Sequence, residues 1–340
     1  MKARLLVDGE GEPSAHFAIE EAILRALDVG MSPPTLRIRR SVPAVWIGLF
    51  QRPEDEVDLA RARELCIPVM RRPNPGGAVF QDEGTLCYSL FAPRRDLFVR
   101  LGVGEPVELY ALFGEAAIRA IARFGVAAAL APTNDATVGG KKVYGSAQLE
   151  QYSVFVHSGT FLVSCDLDRM ALLLKPPALK YAERGIDGVR GRVANLAPLA
   201  DSPMTPELLA AALVPEIERL TGYRFEEAGL TEEEGRLAEQ LRSAKYGQSE
   251  WTFRKEPRSL RRLSRKTPEG LIGIAATIEG GRLSALEAHG DFLLPDTVVL
   301  DDLLAGLRGL PTDEAAKRIK ASALPRELSE TLSALVEELS

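Results

Sequence analysis

Two arginines followed closely by two glycines form the first group of residues that could bind an anion. Arg71 and Arg72 end a short apolar run, and Gly76 and Gly77 follow. Glycines let backbone amides approach a ligand closely, and such amides bind phosphate oxygens, while arginine supplies charged donors for phosphate or carboxylate. The candidate site continues into the residues Ala78, Val79, Phe80 and Asp82. The alternative interpretation is a tight turn beside two solvated arginines.

A lysine placed after a glycine pair forms the second group. Gly139 and Gly140 predict a turn, and Lys142 then begins a strand that would hold its ammonium on a rigid element. A positioned ammonium can neutralise the negative charge that develops at a phosphate during group transfer. The neighbouring candidate residues are Asn134, Asp135, Gly145, Ser146 and Ala147. The alternative is a hairpin with exposed lysines, and no phosphate-binding loop of the GxxxxGK[ST] type occurs in the sequence.

The segment 155–163 supplies three further candidates, His157, Gly159 and Thr160. Histidine can orient a substrate or transfer protons, but a structural histidine hydrogen-bonded within a sheet fits the pattern at least as well. Further along, Arg190 and Arg192 lie two residues apart on a segment predicted to be extended, so their side chains should face the same way. They could line a pocket for an anion or lie in solvent.

Hydrophobic periodicity indicates the elements that would position these residues. A helix is predicted over 15–27, with Ser14 as its cap, and another over 107–124, ending at Gly125. The predicted strands are 36–40, 45–48, 68–72, 78–80, 86–90, 142–145, 154–157 and 160–163. Later helices are predicted from capping signals at Thr205 and Thr231 and over 297–307 and from 325 onward, and 279–281 should turn a hairpin. This mixed, non-alternating order predicts an α+β fold.

The composition is that of a globular protein with two units. The chain has 340 residues, 46% hydrophobic and 26% charged, which suits one large domain followed by a small one. The basic segment 255–266 contains Pro257 and is predicted to link a domain at 1–250 to a second at 256–340. A formal net charge of −6 argues against broad nucleic-acid binding, because such binding requires a basic face.

Cysteine usage and hydropathy indicate where the protein functions. Cys66, Cys87 and Cys165 are scattered, which argues against a disulfide framework and a structural zinc site and predicts a reducing, cytoplasmic location. The N-terminus lacks the apolar core of a signal peptide, and no apolar run approaches the length of a membrane span, so no membrane partner is expected.

The order and spacing of these segments together resemble the lipoate–protein ligase family, part of the biotin/lipoate ligase superfamily, over nearly the whole chain. The segments that carry the resemblance are the arginine–glycine turn 71–82, the pair 134–135 with 142–147, the strand 157–160 and the segment 190–196. Upstream, 17–22 and 46–51 are similar to the family's first helix and strand. Downstream, 245–251 resembles the family's junction to a C-terminal accessory domain, and 270–278 with 290–292 resemble that domain.

The resemblance implies an α+β catalytic domain related to biotin ligases and a small α+β accessory domain. It implies that ATP, with Mg²⁺, activates lipoate or octanoate as an acyl-adenylate. The acyl group then passes to a lysine of a carrier, either an E2 lipoyl domain or a glycine-cleavage H-type protein. Lys142 falls on the family's adenylate-contacting lysine, and Arg71 with 76–78 falls on the turn that lines the nucleotide and lipoate tunnel. Asn134 and Asp135 fall on the phosphate and ribose side. Because the acyl tail is apolar, Val, Ile, Leu and Phe of the central strands should line its tunnel.

Several positions depart from the family pattern, and two other functions compete with ligation. Pro75 stands where the family has the first of three glycines, and Gln81 and Ser158 stand where histidines are usual, which bears on substrate choice and nucleotide geometry. One rival is an octanoyl or lipoyl transferase that needs no ATP, but the loop 131–135 lacks the cysteine that its thiol-dependent form uses. The other rival is a non-catalytic relative that binds a carrier protein. Biotin ligase shares the fold but fits 142–147 and 157–160 less well.

Overall fold

The computed structural model describes residues 2–175, 188–254, 261–268 and 270–339. The strands are β1 Lys2–Gly11, β2 Thr35–Ser41, β3 Ala44–Ile47, β4 Val69–Arg71, β5 Val79–Gln81, β6 Thr85–Pro93, β7 Ala129–Ala131, β8 Asp135–Val138, β9 Lys141–Gln151, β10 Val154–Leu162, β11 Arg224–Glu227, β12 Arg261–Thr267, β13 Gly270–Glu279 and β14 Arg282–Gly290. The α-helices are Pro13–Asp28, Pro53–Glu56, Leu59–Glu64, Arg94–Leu101, Pro106–Ala122, Leu167–Leu173, Pro206–Thr221, Glu232–Leu241, Ser249–Thr252, Thr297–Gly306, Thr312–Lys320 and Arg326–Glu337. A 3₁₀ turn, Ala197–Leu199, and a π-helical turn, Arg242–Tyr246, complete the helical segments of the described residues. Strands and helices follow one another without regular alternation, which is the predicted α+β class.

A large sheet with the strand order β11-β1-β2-β6-β10-β9-β8-β7 forms the centre of the molecule. Alternation along its strands gives the sheet two unlike faces. On β2, Ile38 faces the main apolar core, whereas Arg39 faces the other way; on β6, Tyr88 and Ser89 are divided likewise. The helices Pro106–Ala122 and Pro206–Thr221 pack on the apolar face. Its opposite face carries polar side chains in the middle of the sheet and is the side on which a site can form.

Two smaller sheets flank that polar face. The first has the order β4-β3-β5, with β3 parallel to β4 and antiparallel to β5. The second is the antiparallel sheet β12-β13-β14, which packs with the last three helices around a separate apolar cluster. Phe50 joins that cluster by stacking on Phe292 at a centroid distance of 4.9 Å, and its carbonyl accepts a hydrogen bond from the Gly290 amide at 3.1 Å. The C-terminal sheet is therefore held against the loop that follows β3.

Most predicted elements agree with the structure to within a few residues, and two capping signals are confirmed. Thr205 accepts a hydrogen bond from the Leu208 amide at 3.3 Å. Thr231 and Glu234 form a capping box, with the reciprocal bonds at 3.1 and 2.7 Å. The hairpin predicted around 279–281 is present as β13 and β14. In the described parts of the chain, no helix combines the length and apolarity that crossing a membrane requires.

Other predictions were wrong. Ser14 does not cap the first helix, because that helix already begins at Pro13 and its N-cap residue is Glu12. The strands predicted at 154–157 and 160–163 are one strand, β10, whose pairing with β6 continues through Ser158 and Gly159. Of the predicted linker 255–266, residues 255–260 lie outside the described residues and 261–266 belong to strand β12. The strands β1 and β11 and the helix Thr312–Lys320 were not predicted from the sequence.

Candidate functional site

A cavity of about 710 Å³ lies between the polar face of the central sheet, the β4-β3-β5 sheet and the C-terminal region. Its volume is in the range that encloses small ligands. The predicted site residues that line it are Arg72, Gly76, Gly77, Ala78, Val79, Phe80, Asn134, Asp135, Lys142, Gly145, Ser146, Ala147, Gly159 and Thr160. The fold thus brings the arginine–glycine turn and the lysine segment together, although about 60 residues separate them in the sequence. The C-terminal region contributes residues near Pro268 and Asp291 to the same wall.

One row of paired residues crosses the sheet along this cavity. In register, from β8 to β2, the row consists of Asp135, Gly145, Thr160, Cys87 and Arg39. Neighbouring strands lie roughly 4.8 Å apart, so Gly145 and Arg39 are separated by roughly 14 Å. We name the two extremes of the row the Lys142 end, formed by Asp135, Lys142 and Gly145, and the Arg39 end, formed by Glu20, Arg39, Trp46, Ser89 and Ser158.

A β-bulge explains how Lys142 reaches the cavity. The register between β8 and β9 shifts between Ala136 and Thr137, so that Ala136 pairs with Tyr144 while Thr137 pairs with Lys142. Val143 and Tyr144 are consecutive but both are buried in the main core. The extra residue moves Lys142 onto the same face as Asp135, and its Nζ lies 2.7 Å from Asp135 Oδ1. Simple alternation along β9 would have pointed Lys142 away from Gly145.

The Lys142 side chain also depends on the absence of a side chain at Gly145. A Cβ built at position 145 would lie 2.6 Å from both Cε and Nζ of Lys142. The backbone of Lys142 is fixed independently, because its amide donates to Arg192 O at 2.8 Å and its carbonyl accepts from the Ala194 amide at 2.9 Å. The ammonium is therefore held over the sheet while about a third of its side chain stays exposed.

The glycine turn is shaped by close backbone packing and by Arg72. A Cβ at Gly48 would lie 1.9 Å from the carbonyl oxygen of Gly76, and Gly76 itself has φ +97°. Arg72 donates from Nη2 to the carbonyls of Pro75 and Gly77 at 3.0 and 2.8 Å. Burial lowers the pKa of Arg72 to about 10, so its guanidinium remains charged at neutral pH. Arg72 therefore braces the turn and adds positive charge beside the cavity.

Three predicted site residues lie outside the cavity wall. Arg71 is buried and donates from Nη1 to the carbonyls of Leu49 and Gln51, at 2.7 and 2.5 Å. It also donates from Nη2 to Thr252 O at 2.9 Å, so it ties the loop after β3 to the helix Ser249–Thr252. This guanidinium binds carbonyls of the protein itself and does not face a ligand, contrary to the prediction from the sequence.

Asp82 and His157 likewise have structural surroundings. Asp82 accepts from the Gly84 amide at 3.0 Å and from the Asp166 amide at 2.7 Å. His157 is fully buried and stacks on Phe113 at a centroid distance of 4.1 Å. Burial lowers its pKa to about 3, so it is neutral at physiological pH. Its place on the apolar face of β10 corresponds to the structural alternative that the sequence left open.

The expectation for Arg190 and Arg192 was wrong, and the one for the apolar lining holds in part. Arg190 and Arg192 do not face the same way, because residues 188–192 form turns: Arg190 pairs with Asp168 at 2.9 Å, whereas Arg192 lines the cavity. The expected apolar lining from the strands is present in part, as Val79 and Phe80 of β5 and Leu162 of β10, and the first helix and the segment around Met170 add to it. Residues 185–187 of the arginine motif lie outside the described residues.

The structure adds donors to the site that the sequence analysis missed. Asn74 and Gln51 line the cavity and are almost fully buried. The side-chain nitrogens Asn74 Nδ2 and Gln51 Nε2 have no hydrogen-bond partner among the described residues. Both residues flank the close contact between Gly48 and the glycine turn. The signal available in the sequence was a polar residue close to a glycine, Gln51 near Gly48 and Asn74 near Gly76. The sequence alone did not show that the loops containing these two glycines meet.

The Arg39 end is a buried polar network. Arg39 Nη2 lies 2.7 Å from Glu20 Oε1, and Arg39 Nη1 donates to Ser89 Oγ at 3.1 Å. Ser89 donates its hydroxyl hydrogen to Glu20 Oε1 at 2.7 Å. Ser158 Oγ lies 2.8 Å from Ser89 Oγ, and Ser158 must donate in this bond because the Ser89 hydrogen is already used. Trp46 lies beside Arg39, with the guanidinium carbon 5.9 Å from the ring centroid. The sequence signal for charged side chains on this face was the alternation of Arg37 and Arg39 with Leu36 and Ile38 along β2.

A second layer supports this network from behind. Arg37 is fully buried, is paired with Asp8 and donates to His16 O at 2.9 Å. Burial, followed by the nearby positive charges of Arg37 and Arg39, lowers the pKa of His16 to about 2. His16 is therefore neutral. The two arginines are balanced by the carboxylates of Asp8 and Glu20, so the network carries no net charge.

Comparison with known proteins identifies the chemistry to which this arrangement belongs. A fold of this kind, with a lysine and a glycine turn facing one cavity, defines a site for an anionic substrate. The family model for the lipoyl protein ligase A/B catalytic domain matches residues 12–218. A lipoate–protein ligase of Bacillus subtilis is 28% identical over 306 residues, which cover 89% of this chain and 89% of that relative.

Two solved structures extend the comparison. A bipartite lipoate–protein ligase from Thermoplasma acidophilum, described with its E2 lipoyl domain, is 28% identical, has a TM-score of 0.65 and covers 76% of this chain and 100% of its own. Lipoate–protein ligase A bound with ATP is 29% identical, has a TM-score of 0.64 and covers 74% of this chain and 99% of its own. This chain belongs to the lipoyl protein ligase A/B catalytic domain family. The family, the fold class and the ligase activity predicted from the sequence are confirmed.

Proposed function

We propose that this enzyme uses ATP to convert lipoate, or a related acid, to an acyl-adenylate and transfers the acyl group to a lysine of a lipoyl-carrier protein. The observation that carries the proposal is the convergence of Lys142, Asn134 and the braced glycine turn on one cavity. Activation brings a carboxylate and a triphosphate together, and fixed cations and amides must hold both before in-line attack. The ATP-bound relative supports the nucleotide part of the proposal.

Each group at the Lys142 end has a proposed task. The ammonium of Lys142 neutralises charge on the α-phosphate and the acyl carbonyl, and Asp135 holds that ammonium in place until the substrate replaces it. Asn134, whose carbonyl accepts from the Ser146 amide at 2.9 Å, lies on the nucleotide side. The glycine turn 76–78 and the unpartnered amide of Asn74 bind phosphate oxygens. Gly145 leaves room for the Lys142 side chain above the sheet, whereas the missing side chain of Gly159 makes room for Tyr88 and Tyr144 on the opposite face.

Mg²⁺ is expected to accompany ATP. Among the described residues no group of three or more histidine, cysteine or carboxylate side chains could hold a metal ion by itself. Magnesium is commonly held by one or two carboxylates together with substrate phosphates. Asp135, the carboxylate among the predicted site residues that lines the cavity, fits that role. The ion would neutralise part of the negative charge on the phosphates, and the positive charges of Lys142 and Arg72 would neutralise the remainder.

The C-terminal residues 256–340 are proposed to be the accessory domain, following a catalytic domain at 1–250. The archaeal ligase is matched over its whole length while covering 76% of this chain, so about a quarter of this chain lies beyond that match. The sheet β12-β13-β14 and the last three helices pack around one apolar cluster, yet the segment after β14 contributes Asp291 and Leu293 to the cavity wall. A unit that completes the wall but has its own core suits a cover that closes during activation and opens for the carrier.

The carrier is proposed to be an E2 lipoyl domain, as described with the archaeal ligase, or a glycine-cleavage H-type protein. The transferase that needs no ATP is disfavoured because burial raises the pKa of both Cys87 and Cys165 above the usual range for a thiol, which keeps them protonated. All three cysteines are free, which supports the proposed cytoplasmic location.

The test is release of pyrophosphate from ATP and Mg²⁺ that depends on lipoate or octanoate, followed by intact-mass analysis of both carrier types. Mass gain on a carrier lysine is the expected result. Failure of the folded, full-length chain to release pyrophosphate with either acid would refute the proposed activity.

A further inference from the structure

The Arg39 end of the cavity contains two donors that the described residues do not satisfy. Arg39 Nε and Trp46 Nε1 are both buried and have no hydrogen-bond partner there. The two residues are 4% and 3% exposed, and both line the cavity. They are also neighbours, since the Arg39 guanidinium lies over the Trp46 ring. The two N–H groups therefore lie close together at the Arg39 end of the cavity, three strands away from Lys142.

Buried donors without acceptors are uncommon in folded proteins because each one loses its bonds to water and gains none. All the other polar atoms of this network are paired: both Arg39 Nη atoms, the Glu20 carboxylate and the Ser89 hydroxyl have partners. The groups that lack a partner are both donors, and they line a cavity. Such a site selects a ligand that carries a hydrogen-bond acceptor. An alkyl tail ending in a methyl group brings none.

The charge balance of the network decides what kind of acceptor fits. Arg39 is paired with Glu20, Arg37 is paired with Asp8, and His16 is neutral. A second carboxylate at this place would be a buried charge without a countercharge, which is costly. An uncharged oxygen or sulfur accepts from N–H groups without that cost.

We propose that the acid activated by this enzyme carries an uncharged hydrogen-bond acceptor at the end opposite its carboxylate, and that Arg39 and Trp46 bind that acceptor. The inference rests on the proposed function and specifies its substrate class. Lipoate belongs to the class because its ring sulfurs are weak acceptors. Octanoate lacks the acceptor, and octanedioate replaces it with an unpaired anion.

The test compares acids of the same chain length on the full-length enzyme, by the kcat/KM of pyrophosphate release. The probes are octanoate, 8-hydroxyoctanoate, octanedioate and lipoate. We expect 8-hydroxyoctanoate to exceed octanoate by about tenfold or more, because a site built to bind a polar group discriminates strongly against an analogue that lacks it. Lipoate should also exceed octanoate, and octanedioate should fall below it. Equal values for octanoate and 8-hydroxyoctanoate would overturn the inference.

A conservative variant assigns the preference to the proposed donors. Trp46→Phe keeps an aromatic ring and removes the N–H, so the ratio of 8-hydroxyoctanoate to octanoate should fall several-fold. Trp251→Phe is the matched control, because the Trp251 N–H already donates to Arg71 O at 2.8 Å and should not affect the ratio. An unchanged ratio in Trp46→Phe would remove Trp46 from the site. If no acid releases pyrophosphate, the ligase proposal itself fails; if all acids react equally well, only the present inference fails.

Discussion

The two ends of the cavity row are both built on an arginine or lysine paired with a carboxylate, yet their surroundings differ. At the Lys142 end the side chains of Lys142 and Asp135 are 38% and 24% exposed, whereas Arg39 and Glu20 at the other end are 4% and 6% exposed. A partly hydrated pair is weak and can exchange its partner. A buried pair keeps its partners, because separating them would leave a charge without a countercharge away from water. The open end thus suits chemistry with ATP and an incoming carrier, and the closed end suits selection of the acid.

The largest difference between the ends should appear in Lys142→Ala. We expect acyl-adenylate formation to fall by about 10² to 10³-fold, since removing a group that stabilises developing charge costs about that much. The free energy of unfolding should change by less than about 0.5 kcal/mol, because the pair is partly exposed to solvent. Pyrophosphate release and urea denaturation measure the two effects. Lys141→Ala, at the exposed neighbouring position, is the control, and near-normal activity of Lys142→Ala would remove Lys142 from the mechanism.

At the buried Arg39 end, removal of a charge should chiefly lower the stability of the fold. Glu20→Gln leaves Arg39 without its countercharge, so we expect a loss of about 3 kcal/mol in the free energy of unfolding. The exposed pair between Arg61 and Glu64, at 2.6 Å, offers a matched control, and Glu64→Gln should cost less than about 0.5 kcal/mol. Equal stability losses in the two variants would contradict the contrast drawn between the ends.

A smaller effect is expected from Gly145→Ala, which tests the position of the Lys142 ammonium without removing any charge. The added Cβ displaces the end of the flexible Lys142 side chain, so activation should fall by about tenfold while the fold is kept. Gly235→Ala is the control, because nothing lies within 4 Å of a Cβ there and the position is inside a helix; it should be stabilising by about 1 kcal/mol or less and leave activity unchanged. Full activity in Gly145→Ala would show that the Lys142 position is not critical.

The smallest effect concerns pH and the two buried histidines. The folded-state pKa values of His16 and His157 are about 2 and about 3, both below the ordinary value near 6.5. Below about pH 6.5 the unfolded chain binds protons that the folded chain does not, so stability falls as the pH falls toward 3. Between about pH 7.5 and 5.5 we expect a loss of roughly 1 kcal/mol for each histidine, measured by urea denaturation. His157→Asn should reduce that pH dependence by about half; a flat profile in the unmodified protein would disprove the assignment of neutral histidines.

The Lys142 end was largely accessible from the sequence, because its signals are local. Glycines mark turns, a lysine follows one of them, and the order of such segments resembles a family. What the sequence could not show there was the bulge that turns Lys142 toward Asp135, since strict alternation along the strand predicts the opposite face. Arg71 and Arg72 illustrate the same limit. They are adjacent in the chain, yet Arg71 binds the carbonyls of distant loops and Arg72 braces the turn beside the cavity.

By itself the sequence determined the α+β class, most helices and strands, the family and the reaction, since these follow from periodicity, capping residues and motifs that lie close together in the chain. Only the tertiary structure decided the Arg39 end. Its members, Glu20, Arg39, Trp46, Ser89 and Ser158, come from one helix and four strands, and none is conspicuous alone. Strand pairing places Arg39, Ser89 and Ser158 on one polar face, and the first helix and β3 bring Glu20 and Trp46 against that face. Whether a polar atom there is satisfied depends on neighbours that the chain brings from far away.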